Sequence, residues 1–499
     1  MSQRLDKLIG ESVLAHSGDP CYWWEGQWHD GAELLCLTDA CEKALIQAGF
    51  TEGQRLVVMM KNCPMIPALS LAVWRLGGAF CPLNVASGMT ALLRTLDLIE
   101  PFGVLVSDSV KGEVGHVLQE RGIPCAVCPP EGPLPPFQGN AVTPEPRDLA
   151  VIFATSGTTG LPKAVPLTHS NLIDNCLRTR EAVSELVPGD VLLNVLPNFH
   201  SFGYTVSTVL PLTMNARMAI VPAFLPPQPA MKAILEAPVT VLFAVPAIFS
   251  YLIGAVKRGA FPREGLNRTK LLISGGDRLN PNLHEQALQL VGKDIMEGYG
   301  LTETSPVVAV NRSYATHRTG TVGPFIGGYE WHLRTREGRP TTGDEGVLWL
   351  RGASVTRGYF RAPELTAERF DGDWFDTGDY VRIEDGYIRI LDRVTDIIIV
   401  GGFNVYPQEV ENALAEHPDV QTAIVVGMPH PVSGEIAKAF VQLREGGTAT
   451  ERDLIKFAKE RLAHFKVPRS VEFVNSFPLS GTGKILRRVL RQQAAKTDQ

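Results

Sequence analysis

No apolar run in this chain approaches the roughly 18–20 residues that span a bilayer as a helix. The longest apolar stretches, such as 239–249, are interrupted by Pro246 and read as buried strands and turns. Residues 1–20 carry charges throughout and lack the apolar block of a secretory signal, so none is expected. Cysteine is absent after Cys176: all eight lie between Cys21 and that residue, a distribution that does not suit an extracellular disulfide framework. Cys125 and Cys128 form a lone CxxC flanked by prolines, without the further ligands of a zinc site, and read as free thiols in a cytoplasmic protein. There is no excess of positive charge either. The formal charge of −6 and a pI near 6.0 give no general reason to bind nucleic acid or an anionic membrane, so small-molecule partners are expected. Low-complexity tracts and internal repeats are also missing.

What is present is an ordinary folded composition, 44% apolar and 20% charged, over 499 residues. That length exceeds what one hydrophobic core usually supports, so two or more domains are expected. Short apolar segments alternate with helical patterns: RLVVMM (55–60), VLVSD (104–108), AVIFAT (150–155), VLFAV (241–245) and LLIS (271–274). The alternation predicts an α/β fold of layered, largely parallel sheets. The proline- and glycine-rich stretch 129–147 reads as a surface loop. Near residue 392 the pattern changes to interleaved short strands and helices, with strands at 397–400, 422–426, 439–443 and 471–474 and helices at 407–417 and 451–462. The expected partition is a large N-terminal body, 1–392, and a small mobile α+β domain, 393–499.

Directly after the strand at 150–154 comes TSGTTGLPK (155–163). Gly157 and Gly160 let a backbone bend closely around a ligand. Successive amides can form an anion nest, and the hydroxyls of Thr155, Ser156, Thr158 and Thr159 add donors. Lys163 supplies a point charge suited to phosphate. It is not the common P-loop: counting from Gly157, Pro162 stands at that motif's second glycine, and Ala164 replaces its magnesium-binding hydroxyl residue. A flexible surface turn would share the small residues but has no need of a lysine and several hydroxyls behind a buried strand.

This loop resembles the signature of the adenylate-forming superfamily of acyl-CoA synthetases, carrier-protein adenylation domains and luciferases. The superfamily's other motifs follow in order from about residue 30 to 490. EGYGLTE (297–303) is similar to the segment that cups adenine and the α-phosphate. The resemblance gives Glu297, Gly298 and Tyr299 to the nucleotide, Thr302 to a phosphate oxygen and Glu303 to Mg²⁺, a hard cation that prefers oxygen. In WFDTGD (374–379), just before a strand-like stretch, Asp379 resembles the acid that accepts from the ribose hydroxyls, and Asp376 reads as a turn residue. Arg393 resembles a second ribose contact. Thr395 stands at the hinge, where the family usually carries Asp or Lys. Gly401 and Gly402 resemble the loop that admits a thiol-bearing arm, here coenzyme A, and the same residues would also suit a tight β-turn. Lys484 resembles the mobile lysine of adenylation, and Arg487, Arg488 and Arg491 read as a solvated basic helix. His200 matches an acyl-pocket position, with Gly275 and Gly276 as further lining. Asn198 stands near a place the family keeps apolar, which implies a more polar pocket mouth.

The resemblance implies ATP-dependent activation of a carboxylic acid to acyl-AMP, then transfer to coenzyme A. Loading of a carrier protein's phosphopantetheine thiol is the nearest alternative, and luciferase-like oxidation of the adenylate a more distant one. A fatty or aromatic acid is expected, since the apolar stretches between 200 and 330 and Trp331 suit either.

Overall fold

A computed structural model describes residues 3–86, 88–156, 162–430, 433–479 and 485–497. Its strands form four sheets among these residues. The first has eight strands, in the order Val307–Val310, Met296–Gly300, Leu271–Ser274, Val241–Ala244, Val191–Asn194, Arg217–Ile220, Pro20–Trp24 and Gln27–Asp30. Its interior pairs are parallel and its two outermost pairs antiparallel. The second has six strands, Cys125–Val127, Gly103–Val106, Arg55–Met59, Ala79–Pro82, Leu149–Ser156 and Pro162–Thr168, and is parallel until the closing hairpin. Arg55–Met59, Ala79–Pro82 and Gly103–Val106 are buried along their whole length, as expected of strands covered on both faces. Their continuous apolar runs are the sequence form of that burial.

After Val310 the β-then-α alternation stops. The third sheet, spanning Tyr329–Arg393, is antiparallel throughout, which the expectation of largely parallel sheets did not include. Tight turns explain it. Trp374–Glu384 and Tyr387–Arg393 are joined by Asp385 and Gly386, both at positive φ (50° and 79°), the two-residue hairpin that Asp-Gly favours. The segment 374–379 is therefore part of a strand rather than its approach.

The C-terminal five-stranded sheet contains Ile398–Val400, Phe403–Val405, Val420–His430, Gly434–Leu443 and Ser470–Phe473, with helices Pro407–Ala415 and Glu451–Lys459. It has its own apolar core, centred on Val405, Val410, Leu414, Val425, Ala439, Val441 and Leu454. Thr450 caps the second helix through a reciprocal pair with Asp453. The basic helix Arg487–Thr497 is not simply a solvated face. Arg487 makes a two-pronged bond to buried Glu411 at 2.6 and 2.8 Å, and Arg491 pairs with Asp396 at 3.1 Å. The expected boundary at 392/393 falls one residue before the end of the strand Tyr387–Arg393.

Stretch 129–147 contains no helix or strand, as its composition predicts, and is tied down by buried Arg55, whose guanidinium donates to Thr143 O at 2.7 Å. Pro246 starts the helix Pro246–Lys257 instead of a turn. All eight cysteines are free thiols. Among the described residues no helix is long and apolar enough to cross a membrane.

Candidate active site

Thr155 and Lys163 face each other as register partners on the antiparallel strands Leu149–Ser156 and Pro162–Thr168. Gly157, Thr158, Thr159 and Gly160 lie outside the described residues, as does the side chain of Ser156. Lys163 Nζ sits 5.3 Å from the centre of the Tyr359 ring. Partial burial, helped by the nearby positive charge of Arg369, lowers the pKa of this ammonium.

The Tyr359 hydroxyl donates to Glu303 Oε1 at 2.9 Å. Glu303 is held in the short turn Thr302–Thr304, where its C=O accepts from Thr356 N–H at 2.8 Å. One carboxylate oxygen is thus anchored by a phenol, and a hard oxygen donor set of this kind fits a Mg²⁺ ion that keeps most of its waters. Burial and the Glu303 charge push the Tyr359 hydroxyl well above its usual pKa, so it stays a donor.

The strand Met296–Gly300 brings Tyr299 to Asp379, whose carboxylate also takes Arg393 Nε at 2.7 Å. Asp379 and Arg393 are register partners on adjacent strands, which fixes the pair by backbone geometry. The Asp379 charge holds the Arg393 guanidinium protonated, and burial beside that carboxylate raises the Tyr299 phenol. Gly300 has no room for a side chain, because a Cβ there would lie 2.0 Å from Pro306 O. Gly298 is similarly close-packed, with Ala309 O at 3.3 Å. Glu297 turns its carboxylate toward His284, at 3.4 Å, while its C=O accepts from Asn311 N–H at 3.0 Å.

The expected acyl-pocket segments also meet. Phe202 lies over Gly275, where a Cβ would be 2.9 Å from the ring, and packs edge-on to Phe243 at 6.5 Å. Gly276 adopts φ +81°, a conformation that favours glycine. His200 caps the short helix Ser201–Tyr204 by accepting from Phe202 N–H at 3.2 Å. Ser201 Oγ lies 3.0 Å from Thr302 Oγ1, both buried, which joins the acyl and nucleotide segments directly.

Two expectations change here. Asn198 does not make the pocket mouth polar: it is buried and bonded to Asn62, Asn194 and Thr208 at 2.9, 2.9 and 2.6 Å. Trp331 stands half-exposed on the third sheet, stacked on Phe325, and not on the sheet whose strand Leu271–Ser274 leads into Gly275. Gly401 and Gly402 form the tip of the hairpin Ile398–Val400/Phe403–Val405, at φ +58° and +85°, and are exposed. Thr395 lies in the exposed turn after Arg393. Asp376 lies on the strand Trp374–Glu384 and accepts from Gly378 N–H at 2.8 Å. Lys484 lies outside the described residues. Sequence reasoning missed Ser201, Tyr359 and Arg369. None has a local signature, since each acquires its place only through contacts 56 or more residues away or, for Arg369, through a strand folded back beside it.

A layered α/β body, a small C-terminal domain and this gathering of acids, cations and hydroxyls at the strand ends define an adenylate-forming enzyme architecture. The chain belongs to the family of AMP-binding enzymes: that family's model matches residues 10–360, and the model of the AMP-binding enzyme C-terminal domain matches 409–484. A long-chain-fatty-acid–CoA ligase of Escherichia coli O157:H7 is 35% identical over 99% of this chain and 95% of its own. A feruloyl-CoA synthase of an Amycolatopsis species is 31% identical over 93% of each. Among solved structures, ATP-bound MatB from Rhodopseudomonas palustris superposes with a TM-score of 0.89 at 29% identity, covering 100% of both chains.

Proposed function

We propose that this protein is an AMP-forming acid–CoA ligase: it joins a fatty or aromatic acid to AMP at the expense of ATP, releases pyrophosphate, and passes the acyl group to coenzyme A. The observation that carries the reading is the convergence of Tyr299, Asp379 and Arg393 with Glu303, Tyr359 and Lys163 at one edge of the body. Full-length similarity to enzymes named for both acid classes supports the substrate range.

In the first half-reaction a carboxylate oxygen attacks the α-phosphorus as the bond to the β-phosphate breaks and pyrophosphate leaves. Asp379 and Arg393 hold the ribose, Tyr299 flanks the purine beside Glu297 and Gly298 of the same strand, and Thr302 donates to the α-phosphate. Lys163 and the hydroxyls and amides of residues 155–160 take the departing phosphates. Glu303 would hold Mg²⁺, which supplies charge neutralisation to the polyphosphate when bound. Lys484 contributes a cation to the α-phosphate and carboxylate oxygens. Because no bond to the protein forms, catalysis rests on positioning and fixed charge.

In the second half-reaction the thiol sulfur attacks the acyl carbon, its proton passes to solvent, and AMP leaves. Rotation of the C-terminal domain about Thr395 withdraws Lys484 and presents Gly401 and Gly402 to the pantetheine arm. The domain limits 1–392 and 393–499 belong to this reading. His200, Gly275 and Gly276 border the acid. Eight free thiols fit a cytoplasmic setting.

The test is pyrophosphate release with ATP, Mg²⁺ and a panel of short, medium, long and aromatic acids, each with and without CoA. Release dependent on one acid, amplified by CoA and yielding the acyl-CoA mass, supports the ligase. Acid-dependent release that CoA leaves unchanged overturns the CoA step in favour of a carrier-protein thiol. Lys484→Ala should depress adenylation yet spare thioester formation from supplied acyl-AMP, and equal loss in both would overturn the two-state scheme.

A further inference from the structure

At the root of the nucleotide-cupping strand, four ionisable side chains alternate acid and base. Glu297 Oε1 lies 3.4 Å from His284 Nε2, His284 Nδ1 2.6 Å from Asp294 Oδ1, and Asp294 Oδ2 3.2 Å from His317 Nε2. They come from separate parts of the chain: the helix Pro281–Val291, the turn before Met296–Gly300, that strand itself, and the loop after Val307–Val310. The two imidazoles lie nearly parallel, 24° apart, with centroids 6.5 Å apart. All three of His284, Asp294 and His317 are largely buried, their side chains 6%, 16% and 12% exposed. Of the four only Glu297 has a part in the reaction proposed above, and His284, Asp294 and His317 have none.

We propose that His284, Asp294 and His317 form a binding site for a divalent transition-metal ion of the zinc type. Two imidazoles and a carboxylate are a donor set that zinc takes at about 2.0–2.2 Å. One ligand atom from each residue lies within 4.8 Å of the other two, so small inward side-chain shifts bring them onto one ion. A second observation concerns the far nitrogen of His284. Nε2 is buried without a hydrogen bond of good geometry, yet it faces the Glu297 carboxylate. A carboxylate there selects the tautomer protonated at Nε2 and leaves the Nδ1 lone pair toward Asp294, the outer arrangement typical of metal-bound histidine. The ion takes the place of the proton now shared between His284 Nδ1 and Asp294.

A fourth position is available to water or to Thr319, whose hydroxyl lies 3.3 Å from His317 Nε2 and 3.5 Å from Asp294 Oδ2. The two cations adjacent to these ligands in sequence are engaged elsewhere: Arg318 over the Tyr387 ring at 4.1 Å and on Asp385 at 3.1 Å, and Lys293 on the Thr269 C=O at 2.7 Å. Magnesium is the wrong class for the site, since it demands six oxygens in near-octahedral array. A bound ion would tie the helix and the loop to the base of Met296–Gly300, the strand that leads to Thr302 and Glu303.

The experiment uses the whole chain, stripped with a chelator and free of ATP and Mg²⁺, titrated with Zn²⁺ by calorimetry and with Co²⁺ by visible absorption. One ion per chain is expected, with cobalt bands of a nitrogen–oxygen site. His317→Ala, in a loop, and Asp294→Asn should each weaken binding at least tenfold while circular dichroism stays native. Glu297→Gln should weaken it by a smaller factor, through His284. Absence of stoichiometric binding to the native chain overturns the proposal. So does undiminished binding by His317→Ala, or a sulfur-to-cobalt charge-transfer band that assigns the ion to the free cysteines.

Discussion

Arg393 Nε lies 2.7 Å from Asp379 Oδ1, and the hydroxyl of Tyr299 donates to the other oxygen of the same carboxylate. Both oxygens of Asp379 therefore already carry a donor before any ribose arrives, and the charge that accepts a diol is held in place from two strands. Asp379→Asn keeps the volume but removes that charge and turns half of the acceptor into a donor facing Arg393. The apparent KM for ATP in acid-dependent ATP–pyrophosphate exchange should rise about tenfold to a hundredfold, of the order of one charge-assisted hydrogen bond. An unchanged KM for ATP would remove Asp379 from the nucleotide site.

The Tyr359–Glu303 bond gives a second expectation. Tyr359→Phe leaves Glu303 without its 2.9 Å donor and frees the carboxylate to rotate. Loss of one hydrogen bond to a charged group costs about 1.5–3 kcal/mol where it is fully expressed. The Mg²⁺ concentration for half-maximal activity should rise several-fold with little change in the KM for the acid. If the magnesium dependence is unmoved and only the acid KM changes, Glu303 is not the metal ligand.

The elements that could be read in advance were those whose signal is local. Strands such as Arg55–Met59 and Leu271–Ser274 are buried on both sides, and burial leaves an unbroken apolar run. The resemblance likewise pointed to Tyr299, Asp379 and Arg393, and the fold gathers them. Other features depend on partners far off in the chain. Asn198 looked like a polar lining residue because its ring of amide partners, Asn62 and Asn194, is assembled only by the sheet. Arg487 looked solvated because Glu411 lies 76 residues away. The antiparallel third sheet was signalled by Asp385-Gly386, a hairpin pair that the α/β pattern before it obscured.

Ser201 is the clearest case of a residue whose place only the fold shows. Its hydroxyl meets that of Thr302 at 3.0 Å across 101 residues of chain, with both groups buried. A hydroxyl that accepts from Ser201 keeps its own proton for a phosphate oxygen. Ser201→Ala should lower kcat for adenylation about threefold to tenfold while leaving the KM for ATP within about twofold, because the interaction orients a donor and does not itself bind the nucleotide. Ser201→Thr, which restores a hydroxyl, should recover part of the loss. Equal effects of both substitutions on KM alone would make Ser201 a packing residue.

His169 sets the last expectation, and it concerns stability rather than catalysis. The ring is 1% exposed, accepts the Leu5 N–H at Nδ1 at 3.3 Å and meets Trp74 edge-on at 5.6 Å. Burial, with Arg4 and Arg147 nearby, lowers its pKa from 6.5 to about 3. The folded protein thus holds this histidine neutral while the unfolded chain protonates it below about pH 6.5. Above that pH both states are neutral and His169 contributes no pH dependence. Between about 6.5 and 3 the unfolded state binds the extra proton, so folding stability falls with pH by up to about 1.4 kcal/mol per unit. His169→Asn places an amide oxygen where Nδ1 accepts and cannot titrate. Urea unfolding between pH 7 and 4 should show the variant less stable at pH 7, for lost packing, but with a shallower decline, so that the two stabilities converge on acidification. Parallel declines would mean that His169 is not held neutral in the fold.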